Sequence, residues 1–262
     1  MDSLTPPQPI QPMPQNTWCL DDLAGTSYVQ VLDRLHTALQ PRTYFEIGVE
    51  TGETLALARC PSVAVDPQFS FIDLSCVQRV LTKPSVMFFQ TTSDDFFSRH
   101  RPDVLLGQPV ELAFLDGMHR CEYLLRDFIN TERCCRNNAI IALHDCLPVE
   151  LPMTSRSRTE QAIDERRQNM WTGDVWRTAL LLKRRRPELS FLMLDAAPTG
   201  LMLITNLDPA NRRLEGNYNA HVAEMLTWSL EDIGLPDYHH EMEVQSTHRF
   251  ERHEDLTTRF WL

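Results

Sequence analysis

Lysine is nearly missing from this chain of 262 residues: of its 25 basic side chains only Lys83 and Lys183 are lysines. A mechanism built on a lysine base therefore has two places to look. Positive charge as a whole is outnumbered, with 25 Lys and Arg against 36 Asp and Glu for a formal charge of −11. Such a surface repels a phosphate backbone, so nucleic acid is not expected as a partner. No apolar run reaches the roughly 18–20 residues that a membrane-spanning helix needs, and the N-terminus lacks a basic stretch followed by an apolar one. A protein neither embedded in a membrane nor exported is the expectation. The seven cysteines are odd in number, include the adjacent Cys134 and Cys135, and form no CxxC. Zinc-ribbon and disulfide frameworks both lose to reduced thiols in the cytoplasm. Glycine is scarce too, nine in all, and neither GxGxxG nor GK[ST] occurs, which removes the dinucleotide fingerprint and the P-loop.

What remains is 42% hydrophobic and 23% charged, the composition of a soluble globular domain. Its acidic, Arg-rich and Lys-poor character points to a bacterial origin with GC-rich coding. The opening residues carry Pro6, Pro7, Pro9, Pro12 and Pro14 among polar side chains and read as an arm over 1–25. From Ser27 the set Tyr28, Leu32, Leu35 and Leu39 marks one face of a helix that Pro41 stops. Short apolar runs follow at Thr43 to Gly48, Ser62 to Asp66, Ser85 to Gln90, Val110 to Asp116 and Asn138 to His144. Helical stretches near 52–60, 70–82, 93–100 and 119–136 alternate with them. Alternation of this kind predicts a parallel sheet covered on both faces. A helix from about Asp174 ends in the basic run Lys183 to Arg186, which suits a helix C-terminus better than a nucleic-acid patch. Leu189 to Ala196 and Gly200 to Asn206, separated by a Pro-Thr-Gly turn, read as two antiparallel strands. The expected division is an arm at 1–25, one α/β domain at 26–215 and a helical, polar extension at 216–262. That extension holds His239, His240, His248 and His253 in spacings that match no standard metal site. It is expected to be solvated, or to dock on a second subunit of a homodimer through Phe260, Trp261 and Leu262.

The informative segment is Tyr44-Phe-Glu-Ile-Gly-Val-Glu-Thr-Gly-Glu-Thr54, an apolar strand ending in Glu46-x-Gly48-x-x-x-Gly52. Gly48 allows a tight turn and close approach to a ligand, and Gly52 is placed to open a helix whose free N–H groups face an electron-rich group. The second strand closes on Asp66, the third on Gln90-Thr-Thr-Ser-Asp-Asp95, the fourth on Phe114-Leu-Asp-Gly-Met-His119 and the fifth on Ile140-Ile-Ala-Leu-His-Asp145. All lie at the carboxyl ends of strands, the crevice where open α/β sheets bind ligands.

These segments resemble motifs of the class I S-adenosylmethionine-dependent methyltransferases. The spacing E-x-G-x-x-x-G is similar to their first motif, and Asp116-Gly-x-His119 with Glu122, Tyr123, Asp127 and His144-Asp145 resembles a bacterial subgroup often labelled methyltransferase family 24. The resemblance runs from about Tyr44 to Pro148, near 40% of the chain. It implies a doubly wound, mostly parallel seven-stranded sheet with a final antiparallel hairpin, similar in fold to the catechol-type O-methyltransferases. It also implies S-adenosylmethionine bound by Glu46, Gly48, Gly52, Asp66, Thr92, Ser93, Asp94 and Asp116, with Asp66 on the ribose and the 92–94 segment by the adenine. Read by itself, Ser93 is equally a helix N-cap.

The reaction so implied is methyl transfer to a small molecule, at a hydroxyl oxygen in the first reading. The alternatives are an N- or S-methyltransferase of the same fold, a non-catalytic relative that keeps the cofactor pocket, or an NAD-type Rossmann enzyme. In the catechol-type enzymes a lysine three residues after the strand-four Asp is the base. Here that position is His119, whose ordinary pKa suits proton transfer near neutrality. Asp116 and Asp145 are candidate ligands for a divalent metal. His144 stands where those relatives more often carry an acid, which weakens magnesium and opens manganese, iron or zinc, or makes His144 itself the base. The alternative for His119 is a helix cap or a contact to cofactor carboxylate. Arg156, Arg158, Arg166 and Arg167 in the polar segment 150–173 are expected at the surface, Trp171 and Trp176 in packing, and Gly173-Asp-Val-Trp-Arg177 has no assigned role.

Overall fold

The computed structural model describes residues 19–158 and 165–262. The prolines of the N-terminal arm lie outside them.

Seven strands form one sheet in the order β3-β2-β1-β4-β5-β7-β6. They are β1 (Tyr44–Ile47), β2 (Ser62–Val65), β3 (Val86–Phe89), β4 (Val110–Leu115), β5 (Cys135–His144), β6 (Ser190–Leu194) and β7 (Leu201–Thr205). All are parallel except β7, which runs antiparallel to both β5 and β6. This is the doubly wound sheet with a terminal antiparallel hairpin that the alternating pattern predicts, and each apolar run became a strand. Its chain reversal lies at β1, where β2 and β3 go one way and β4 and β5 the other, so the crevice opens above β1 and β4.

Both faces are buried, as parallel strands require. Phe45, Ile47, Ala113, Leu115, Ile141 and Leu143 point to one side, and Tyr44, Ala64, Leu112, Phe114, Ile140 and Ala142 to the other. The first face is covered mainly by α3 (Ser93–Arg99), α4 (Pro102–Leu106), α5 (Cys121–Glu132) and α6 (Trp176–Arg185), with α7 (Arg213–Gly216), α8 (Tyr218–Leu226), α9 (Leu230–Ile233) and α10 (Leu235–Glu241) behind them. The second is covered by α1 (Tyr28–Leu39), α2 (Leu74–Leu81) and α11 (His253–Arg259). Ser27 caps α1 by accepting from the Gln30 N–H at 3.4 Å, and Gln40 ends it in the left-handed conformation at φ 47° just before Pro41.

Two expectations need correction. The helix over 52–60 is a single 3₁₀ turn, Leu55–Leu57. Leu55, Ala56, Leu57 and Ala58 are all buried, so the segment has no wet side for an amphipathic helix to show, and α1 and α2 close over it. Gly52 therefore opens no helix, and no helix dipole points from it. The extension at 216–262 is helical but not a solvated tail. Leu230, Leu235, Tyr238 and Met242 join the core on one face, and Phe250, Leu256 and Phe260 on the other. The Tyr238 hydroxyl donates to the Cys146 carbonyl at 2.7 Å. Phe260, expected as a docking residue, is spent inside its own chain, while Trp261 stays 70% exposed.

The basic run at the end of α6 binds this segment down. Lys183 pairs with Glu243, Arg184 with Glu241 and Arg185 with Glu224. Arg186 is buried against Glu132 and Glu188. All seven cysteines are free thiols. Among the described residues no helix is long and apolar enough to cross a membrane.

Candidate active site

Strand register assembles the site. Ile47 pairs with Leu115 and Leu115 with Leu143, so the next residues, Gly48, Asp116 and His144, emerge side by side at the carboxyl ends of β1, β4 and β5. Gly48 turns at φ 84° so close beneath β4 that a Cβ there would lie 1.8 Å from the Asp116 carbonyl oxygen. Only glycine fits.

Four titratable groups then meet. His144 Nδ1 lies 3.1 Å from Asp116 Oδ2 and 3.5 Å from Asp145 Oδ1. His119 Nδ1 lies 3.1 Å from Asp145 Oδ2, and its Nε2 3.3 Å from Asp116 Oδ1. Carboxylate and imidazole thus alternate around a ring. Burial raises the Asp116 carboxyl, but His144 and His119 beside it win and hold it well below the usual range. Burial lowers His119, yet Asp145 and Asp116 together push it up to about 9. His144 is raised by the same two carboxylates against its burial.

The two imidazoles differ in access. His144 is 8% exposed, with Tyr28 packed on its ring at 3.9 Å and Thr199 Oγ1 3.5 Å from Nε2. Thr199 donates to Asp145 Oδ1 at 2.5 Å. The His119 side chain is 23% exposed and lies on the Trp171 ring at 4.9 Å. The Trp171 carbonyl, which can only accept, sits 2.9 Å from His119 Nδ1. That nitrogen therefore carries a hydrogen, leaving Nε2, on the Asp116 side, as the atom that gains or loses a proton.

His119 and Asp145 both hold left-handed backbone, at φ 46° and 60°. Such geometry in non-glycine residues persists only where the surroundings impose it. For His119 the imposing segment is the one that sequence reasoning left without a role. Asp174 N–H donates to the His119 carbonyl at 3.2 Å, and Gly173, at φ 57°, passes so near that a Cβ would lie 1.8 Å from the same oxygen. The Asp174 carboxylate, 1% exposed, takes the Cys121 N–H at 2.8 Å and the guanidinium groups of Arg156 and Arg177. Arg156 also reaches Glu122 at 2.5 Å. It is a clamp across the loop after β5 rather than a surface cation, as is Arg167, buried against Glu150 and Asp22. Cys121, Glu122 and Asp174 stand close enough together for a metal, but two guanidinium groups already fill that need for positive charge.

The residues expected to bind cofactor are less open. Glu46 is fully buried under the Gly48 turn, accepting from the hydroxyls of Tyr44 at 2.7 Å and Thr54 at 2.6 Å. Asp66 accepts the N–H groups of Glu50 at 2.9 Å and Gln68 at 2.7 Å, one on each oxygen. Each oxygen keeps a second lone pair. The side of Gly52 where a Cβ would point is filled by the Phe71 ring. Thr92, not Ser93, is the N-cap of α3, taking the Asp95 N–H at 3.1 Å, and Asp94 is paired with Arg126 at 2.6 Å. Ser93 lies toward Asp127, whose carboxyl burial pushes up to about 7. Trp176 is a core residue as expected, packed edge-on against Tyr238, whereas Trp171 belongs to the site. Sequence reasoning missed Thr199 and the role of Tyr28. The first lies in what read only as a turn, and the second read only as an apolar position of α1.

No protein-family model matches the chain, and no curated protein matches it significantly. Solved structures with a related arrangement include cofactor-bound Rv0187 from MTB, 17% identical over 70% of this chain and 80% of that one, with a TM-score of 0.49. An O-methyltransferase from Bacillus cereus in complex with SAH is 13% identical over 67% and 79%, at 0.47. The O-methyltransferase TomG from Streptomyces achromogenes, involved in tomaymycin synthesis and bound to SAM, is 15% identical over 68% and 78%, at 0.46. The Rossmann-like methyltransferase fold rests on the sheet order and strand directions themselves.

Proposed function

We propose that the protein is an S-adenosylmethionine-dependent methyltransferase that acts on a hydroxyl group of a small molecule with the help of a divalent cation. The observation that carries this reading is the contact between the Gly48 turn and Asp116. It sets a glycine loop suited to a cofactor directly beside a ring of two carboxylates and two imidazoles. An acid-base centre so close to a cofactor loop is what transfer from a bound donor to a bound acceptor needs, since placement supplies much of the rate.

The donor set suits a cation. Ligand atoms of Asp116, His144 and Asp145 lie within 4.8 Å of one another. Two carboxylates with an imidazole favour manganese, iron or zinc over magnesium, which prefers oxygen throughout. Such an ion would lower the pKa of a hydroxyl bound to it. S-adenosylmethionine would supply the methyl group, held by the remaining lone pairs of Asp66, the backbone of the Gly48 turn and Ser93, with Thr92 and Asp94 shaping the segment around Ser93. Glu46 stiffens the turn from below. Thr199 and Tyr28 fix the buried His144, so the more accessible His119 is the residue to receive the acceptor's proton, on Nε2. Engaging either carboxylate elsewhere weakens its hold on the imidazolium and frees that nitrogen.

The test is titration calorimetry of metal-stripped protein. S-adenosylmethionine is expected to bind at micromolar concentration and to lose at least tenfold in Asp66→Ala, with melting curves confirming that the variant folds. Manganese and zinc, each added alone, are expected to bind the wild type and not Asp116→Ala. Failure of the folded wild type to bind S-adenosylmethionine in any metal condition would overturn the proposal.

A further inference from the structure

At the opposite end of the strands from the candidate active site lies an open surface pocket of about 310 Å³, walled by Arg59, Arg79, Thr82 and Lys83 with Ala56 and Ala58 behind. That is room for about ten waters at their share of liquid volume. Arg59 and Lys83 each stand three residues before a strand, β2 and β3, which puts the cavity at the amino ends of the sheet.

Its lining carries three positive charges and no carboxylate. Most arginines of this acidic chain meet a carboxylate, among them Arg42, Arg126, Arg156, Arg167 and Arg186. Among the described residues the guanidinium groups of Arg59 and Arg79 have no ion pair or hydrogen bond. Lys83, one of two lysines in 262 residues, holds its ammonium on neutral oxygens, the Ala58 carbonyl and the Ser62 hydroxyl at 3.3 Å. Asp73, at the other end of α2, is hydrogen-bonded to Ser75 and feels the Arg79 charge without pairing with it. The carbonyls that end α2 would repel an anion, but the Thr82 hydroxyl and the N–H groups of Thr82 and Lys83 close those of Arg79 and Val80. The Lys83 ammonium is part-buried with no carboxylate in hydrogen-bond reach, and two exposed guanidinium groups stand beside it, so the pocket gathers three positive charges and no acid among its lining residues.

We propose that this cavity is an anion site for the phosphate class, taking either free phosphate or the phosphoryl group of a small phosphorylated molecule between Arg59, Arg79 and Lys83. Arginine forks and a lysine point charge suit tetrahedral oxyanions. The site is separate from the proposed methyl-transfer centre and does not depend on it. Two further features are consistent with it. Burial brings the Lys83 ammonium down to about 8, against weak support from Cys60 and Glu46. Lys83 and Arg59 also add to burial in lowering His36.

The scarcity of lysine makes the test direct. Protein labelled with carbon-13 at the lysine ε position gives two resonances, and Lys183→Arg assigns them. Inorganic phosphate and ribose 5-phosphate are titrated separately, with sodium chloride at matched ionic strength as control. The Lys83 signal is expected to shift saturably with both phosphates, and its titration midpoint to rise by about a unit or more, as a new opposite charge requires. Both effects should vanish in the Arg59→Ala, Arg79→Ala double variant, whose changes fall on exposed side chains. Tighter binding of the ester identifies a phosphorylated small molecule as the occupant, and equal binding identifies free phosphate. A Lys83 signal that responds only as it does to chloride, or that responds equally in the double variant, would overturn the site.

Discussion

Replacing Glu46 by glutamine should make the protein more stable at pH 8 and leave it nearly unchanged at pH 4. Burial raises the Glu46 carboxyl from 4.5 to about 7, although the Thr54 and Tyr44 hydroxyls both favour its charged form. The folded state therefore keeps a proton that the unfolded chain gives up above about 4.5. The stability contributed by that proton is fully present below 4.5 and is lost as pH rises through 7. A shift of this size corresponds to about 3 kcal/mol. Glutamine has the shape of the protonated acid at every pH, so Glu46→Gln should recover about 2–3 kcal/mol at pH 8, less a few tenths for turning the one hydroxyl that faces the amide nitrogen from donor to acceptor. Urea unfolding at pH 4, 6 and 8, with the midpoint and slope fitted for both proteins, measures the difference directly. A variant less stable than wild type at pH 8, or a difference that does not change with pH, would refute the reasoning. Stabilisation coupled to weaker S-adenosylmethionine binding would show that the buried charge is kept for the Gly48 turn at the expense of the fold, the usual trade at a functional site.

His36 predicts the opposite slope. It is buried with neither ring nitrogen partnered, and burial, with Lys83 and Arg59 adding to it, lowers its pKa to about 3. Stability present above 6.5 is therefore lost as pH falls toward 3, by up to about 4 kcal/mol, and His36→Phe should flatten the acid limb of a melting-temperature profile. A profile for the variant that parallels wild type from pH 7 to 4 would count against it. Gly173→Ala adds a Cβ 1.8 Å from the His119 carbonyl at a residue with φ 57°. The expected cost is at least about 2 kcal/mol in chemical denaturation, with weaker manganese binding because His119 and Asp145 are displaced; unchanged stability would show that the 171–174 segment is not what holds His119. Arg186→Met alone should cost about 3–5 kcal/mol by stranding the buried Glu132, whereas Arg186→Met with Glu132→Leu should return most of it. Additive losses in that double-mutant cycle would contradict the pairing.

The sheet was legible because parallel strands bury both faces and so stand out as short apolar runs. Six of the seven strands lie inside the segments read for them, and β5 begins earlier, at Cys135. The segment 52–60 was misread because apolar residues without a polar face resemble half a helix, and nothing local says that α1 already covers them. The four reacting candidates, His119, His144, Asp116 and Asp145, were legible as strand-end residues, and register alone made Asp116 and His144 neighbours. What could not be read was orientation. That depends on Thr199, Tyr28, Trp171 and the Gly173-Asp174 step, which lie 52 or more residues from the groups they hold in most cases and carry no local signature. The C-terminal helices were misjudged for the same reason. Their ion pairs with the end of α6 span 39 to 60 residues, and acids and histidines there looked like a wet tail.

Arginine serves this chain chiefly as a cross-link, and that gives the exceptions their meaning. Arg42 with Glu111, Arg126 with Asp94, Arg156 with Glu122 and Asp174, and Arg186 with Glu132 each join elements distant in sequence through charge-assisted bonds. The exposed pairs contribute little, and in the buried Arg186–Glu132 pair desolvation offsets most of the attraction, but breaking it is expensive, so it fixes which elements meet. Against that background three places stand out. Glu46 is a buried acid hydrogen-bonded only by hydroxyls, Lys83 a part-buried base hydrogen-bonded only to a hydroxyl and a carbonyl, and the four-group ring a centre whose charged groups pair with one another. Fold stability gives no reason for the three, since each carries charge out of full contact with water at a desolvation cost that a neutral side chain avoids. Two of them adjoin the Gly48 turn and the third walls a cavity, which is where binding free energy from a ligand can offset what the fold loses.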